Sequence, residues 1–128
     1  MAIRVRFRRI RERGVLEQER LVFEVVEAGD IGKCAVFRVR ELPNGKVSAK
    51  VSDVCWFPDK TVAAGDVVVL YTKAGNQNEK SNDDGSTSYF FYWGLSEAIW
   101  VAEDHVPVFI YIRDWDIMKE PRVVVRAK

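Results

Sequence analysis

The chain reads as an all-β sandwich of about eight or nine short strands, and three observations predict it. Apolar and polar residues alternate with period two along most of the 128 residues. Val, Ile, Phe, Tyr and Trp dominate the apolar runs, and these side chains suit a pleated, half-buried surface. Turn residues such as "EAGDIG" and "PNG" then break the runs at short intervals.

In order along the chain, Ile3, Val5 and Phe7 alternate with Arg4, Arg6 and Arg8, as in a strand with one face buried. Residues 1–20 form an Arg-rich strand or arm, and only 9–20, "RIRERGVLEQER", carry a weak helical signal, which Gly14 interrupts. Leu21, Phe23 and Val25 alternate with Val22, Glu24 and Val26. Ala35, Phe37 and Val39 alternate with Arg38 and Arg40. Pro43–Gly45 then turns the chain into a return run of Val47, Ala49 and Val51, a hairpin signal. The later runs "VCWF", "DVVVLYTK", "YFFYWG", "AIWV", "VPVFIYIR" and "RVVVRA" complete the strands. Residues 75–88, "GNQNEKSNDDGSTS", contain no apolar side chain and predict an exposed, mobile loop. "SNDDG" mimics a calcium loop. With Gly85 at its sixth position, however, Lys80 and Phe91 stand where acidic ligands belong, so the pattern fails.

Length and composition set the bounds. One domain, residues 1–128, is expected to bury roughly two-thirds of its unfolded surface, and 48% hydrophobic with 30% charged residues excludes global disorder. No apolar run approaches a membrane span. "MAIRVRFRRI" lacks the apolar centre of a secretory leader, and two cysteines, Cys34 and Cys55, make no disulfide framework. A cytoplasmic or virion-associated protein is the expectation. The net charge of +1 conceals a split: residues 1–20 carry +4 and the remainder −3. Bulk attraction to nucleic acid is therefore not implied.

"FPDKTVAAGDVVVLYTKAG", a polar variable loop and "YFFYWG…AIWV" together resemble the lamin tail domain. Ala64, Gly65 and Asp66 match its turn, Val69, Leu70 and Tyr71 the following strand, and Tyr92, Trp93 and Trp100 its aromatic signature, with Phe57 and Pro58 on the approach. The match covers about residues 55–110. The family's "GW-x-L" segment is not recognisable in "DVCWFPD", and the glycine expected after Asp104 is missing. The resemblance implies an immunoglobulin-like antiparallel β-sandwich without enzymatic activity, working as an interaction module.

Catalytic signals are sparse, and no catalytic residue, metal or cofactor is assigned. There is one histidine, His105, read as a surface turn residue before Pro107. A Cys34, Cys55 and His105 zinc site has no CxxC or HExxH spacing behind it. Both cysteines sit in apolar runs, where thiols are inert. Asp114 and Asp116 would share a face if the last strand continues, and with His105 they define a third function, a small metal-dependent hydrolase. Ordinary pairing with Arg113, Lys119 and Arg122 explains them with fewer assumptions.

Two features point to binding instead. Arg4, Arg6, Arg8 and Arg9 could line a phosphate backbone, protect a sheet edge, or meet an acidic face of a neighbouring subunit. Residues 89–100 hold six of the fifteen aromatic residues, so at least one side of that strand must face the core and the other exposes rings. Tyr89, Phe90 and Phe91 are the candidates for the exposed set. The expected function is a protein-binding module, in a homo-oligomer or larger assembly, with nucleic-acid binding by the Arg-rich strand as the alternative.

Overall fold

The computed structural model describes residues 2–121. Among them, ten strands follow in chain order: β1 (Arg4–Arg11), β2 (Arg20–Glu27), β3 (Gly29–Asp30), β4 (Cys34–Arg40), β5 (Asp53–Trp56), β6 (Thr61–Val62), β7 (Val67–Tyr71), β8 (Asn78–Ser81), β9 (Thr87–Tyr92) and β10 (His105–Tyr111). One 3-10 turn, Ile31–Lys33, is the only helical segment among the described residues. The fold is all-β, as the alternation predicts. The expected "RVVVRA" strand lies outside the described residues.

Two sheets form the sandwich. One has the order β1-β2-β7-β9-β8 and the other β10-β4-β5, while β3 pairs with β6. Leu21, Phe23 and Val25 of β2, Val68 and Leu70 of β7 and Phe91 of β9 point from the larger sheet into the core. Val36 of β4 faces them, with Cys55 and Phe109 packed around it. Rings bridge the layers: Phe23 meets Phe109 at 5.4 Å and Phe57 meets Phe91 edge-on at 5.2 Å. Each such side chain, when fully buried, contributes about 1.5–3 kcal/mol.

The expected all-antiparallel order has one exception. β7 and β9 run parallel, because β9 slots between β7 and β8. Residues 75–88 are accordingly not a plain loop. Asn78–Ser81 are exposed, as expected, but they form the edge strand of a hairpin with β9. Its turn closes through Gly85, at φ +87°, and through Asp84, which accepts from the Ser86 hydroxyl and N–H. Those bonds hold the Asp84 carboxyl below its ordinary pKa. An edge strand with water on both faces has no apolar alternation to betray it.

Other expectations shift as well. β1 carries a bulge between Phe7 and Arg9, so the inward set passes from Ile3, Val5 and Phe7 to Ile10. Residues 12–19, inside the weak helical signal, form consecutive turns. The return run at 47–51 is not a strand. Only Glu41 and Val47 form a bridge, and the ladder resumes with Ser52 donating to the Arg38 carbonyl. "AIWV" is also irregular. Its Trp100 is fully buried through a clamp rather than a ladder.

Glu19 is that clamp. Its side chain is fully buried and accepts four hydrogen bonds, from Gly14 N, Trp100 N, Ile99 N and the Thr72 hydroxyl, at 2.6–3.1 Å. The turn after β1, the end of β7 and the segment before β10 thus converge on one carboxylate. Arg13 reinforces the junction by donating to the Trp100 carbonyl at 3.0 Å.

Candidate interaction surface

The turn that most resembles the lamin tail pattern is a structural knot. Gly65 takes φ +91°, and the buried Asp66 carboxylate accepts from Ala63 N at 2.8 Å and from Thr87 N at 2.9 Å. One side chain thereby closes the β6–β7 turn and anchors the start of β9. Trp93 stands edge-on to Trp100 at 6.1 Å and donates its Nε1–H to the Val54 carbonyl.

Alternation splits the aromatic strand as predicted. Phe91 is in the core and Tyr89 packs against it, beneath the Lys60 ammonium, so neither belongs to an exposed site. Phe90 remains on the outer face with Tyr92. Tyr92 is nevertheless shielded: it stacks on Tyr71 at 5.3 Å, and Gly75 lies so close that a Cβ there would sit 2.5 Å from the ring. Arg20 and Lys73 approach Tyr71 at 5.6 and 5.1 Å. This column is built from rings already in use.

The arginines share that outer face. Cross-strand register sets Arg9 beside Val22, Val69 and Phe90, and Arg6 beside Glu24 and Val67. Arg4 pairs with Glu27 at 3.4 Å and Arg8 with Glu24 at 2.6 Å. Among the described residues, no ion pair engages Arg6, Arg9 or Arg11. The structure therefore brings Arg6, Arg8, Arg9 and Phe90 onto one face, while Arg4 lies beyond a register shift, opposite Glu27.

The second sheet holds a surface that sequence reading missed. Its outward rows are Ile110, Ala35 and Trp56, then Val108, Phe37 and Val54, then Val106 and Val39. All eight are apolar. Val54 and Trp56 are 53% and 47% exposed, Phe37, Val106, Val108 and Ile110 are half-buried, and Ala35 and Val39 are buried. An antiparallel sheet with one solvated face normally carries polar residues at these positions. The inner face of the same sheet is instead polar at one end. There Arg38 donates to Asp53 Oδ2 at 2.8 Å and to the Ile99 carbonyl at 3.3 Å, and lies 2.9 Å from His105 Nδ1. A guanidinium only donates, so this nitrogen accepts. His105 is thus the half-buried first residue of β10 rather than a turn residue. The signal was present in Ala35, Phe37 and Val39, but alternation cannot say which face the core takes.

Catalytic groupings do not assemble among the described residues, where no three His, Cys, Asp or Glu side chains are placed to hold a metal ion. His105 pairs with Arg40 and Cys34 with Tyr111, at opposite ends of the same ladder, about 20 Å apart at strand spacing. Both cysteines are free. Burial, helped by the nearby Asp30 charge, pushes the Cys34 thiol from 9.0 up to about 12. Burial likewise pushes Cys55 up to about 11. Neither is a thiolate near neutrality. β10 ends at Tyr111, so Asp114 and Asp116 share no strand face, and they lie beyond the far end of β10 from His105. No helix among the described residues is long and apolar enough to cross a membrane. No family model, characterised protein or solved structure matches the chain.

Proposed function

We propose that this chain is a non-enzymatic interaction module of the lamin tail, immunoglobulin-like type, acting by protein–protein contact within a homo-oligomer or larger assembly. The observation that carries the reading is the outer face of β10-β4-β5, apolar at all eight positions, with Val54 and Trp56 exposed, Phe37, Val106, Val108 and Ile110 half-buried, and Ala35 and Val39 buried. Val54 and Trp56 are the part of this face open to a partner, and adjoining exposed apolar side chains mark partner sites. Trp56 supplies an aromatic anchor of the kind that dominates interface energetics.

Val54→Lys with Val108→Lys tests it, since both side chains point outward. Wild-type protein is expected to sediment above monomer mass or to enhance the fluorescence of an apolar dye, and the double variant to do neither while keeping its thermal midpoint. A wild-type monomer that leaves the dye dark sinks the proposal. A second reading, nucleic-acid binding, is favoured by Arg6, Arg9 and Arg11, which no ion pair engages among the described residues. Duplex binding that falls steeply with salt and weakens in Arg9→Ala would support it; no binding at low salt would end it.

A further inference from the structure

A groove of about 470 Å³ opens beside Trp56, between the 30–33 turn, residues 57–59 and the segment after β10. Its walls are fixed by hydrogen bonds and close packing. Asp30 Oδ1 accepts from Gly32 N at 2.8 Å and from Lys60 N at 2.9 Å, tying the two loops together. Gly32 leaves no room for a side chain, because a Cβ would lie 2.2 Å from Asp59 Oδ1 and 2.7 Å from the Asp59 Cα. Trp56 donates its Nε1–H to the Gly32 carbonyl at 2.7 Å, which locks the indole in place. Trp115 stands against it at 85°, with ring centroids 5.5 Å apart, and the two are 47% and 64% exposed.

The polar lining is balanced. Asp30 and Asp59 supply carboxylates, and Lys33 and Arg113 supply cations. No ion pair among the described residues engages any of these four. An anionic ligand would meet the two carboxylates and a cationic one the ammonium and guanidinium. A wholly apolar ligand would strip water from four charged groups without replacing their hydrogen bonds, at a cost of several kcal/mol. An uncharged polyol avoids each penalty. Its C–H faces lie on indole, and every hydroxyl both donates and accepts, so it can answer carboxylates and cations alike. We infer that the groove is a binding site for a neutral saccharide, a function different in ligand from the protein contact proposed above although the two share Trp56.

Calorimetric titration with maltose, cellobiose, lactose and diacetylchitobiose tests the site. Saturable binding of at least one disaccharide is expected. Trp115→Ala and Asp59→Ala, both at exposed side chains, should each weaken it about tenfold or more, while Arg6→Ala on the other sheet leaves it unchanged. Preserved melting midpoints would show that both variants fold. No saturable binding by any of the four sugars overturns the inference. So does binding indifferent to both groove substitutions, or tighter binding of a proline-rich peptide than of any sugar, which would assign the groove to a protein partner.

Discussion

Glu19 decides more of the fold than its neighbours in the Arg-rich arm suggest. A buried carboxylate without a cation is stable only when its lone pairs are filled, and four donors from three segments fill them. Glu19→Gln presents an NH₂ to groups that are themselves donors. It should lower stability by about 2–3 kcal/mol, and Glu19→Ala by about 3–5 kcal/mol, read from urea midpoints. A loss within about 0.5 kcal/mol would deny the clamp. Cys34 makes a different forecast. The folded thiol keeps its proton up to about pH 12, whereas an ordinary thiol releases it near 9.0. The unfolded chain thus binds fewer protons across that interval. Stability should be flat below the lower value and fall as pH rises above it, by up to about 1.4 kcal/mol per pH unit. Comparing urea midpoints near pH 8 and near pH 10, Cys34→Ala should show a shallower loss than wild type.

At the level of elements, the sheet edges explain residues that look misplaced in a strand. The Ile112 N–H donates to the Lys33 carbonyl, and by alternation the even residues of β10 carry its ladder with β4. Pro107 therefore points its missing donor at the edge that β10 leaves unpaired among the described residues, where proline discourages another strand from pairing. Pro107→Val restores that donor. It is expected to raise light scattering on mild heating while leaving the urea midpoint nearly unchanged; unchanged scattering would refute this role. β1 is guarded differently, by its arginines and the bulge between Phe7 and Arg9, and β8 by being short and polar. The same bulge limits what can be read from sequence, because one extra residue exchanges inward and outward positions. Ile10 packs on the core while the regular alternation had named only Ile3, Val5 and Phe7.

On the scale of the whole molecule, two layers share one core, and the outer face of the second layer is apolar and open at Val54 and Trp56. A sheet apolar on its outer side behaves as an inner layer of something thicker, which is why the paired lysine substitutions in β5 and β10 bear on assembly rather than on folding. The all-β class, the splitting of Phe90 and Tyr92 from Tyr89, Phe91 and Trp93, and the Gly65–Asp66 turn were legible in the chain. All depend on neighbours in sequence: strand period, ring chemistry, and the left-handed conformation glycine allows. Hidden from it were the partners. Glu19 meets Ile99 and Trp100 eighty residues away, Trp115 meets Trp56, and β9 enters the sheet parallel to β7. Alternation by itself determined that β4 has two different faces. Only the tertiary structure decided that Val36 and Arg38 turn toward the larger sheet while Ala35, Phe37 and Val39 take the opposite face, because the two faces differ only once a second sheet covers one of them.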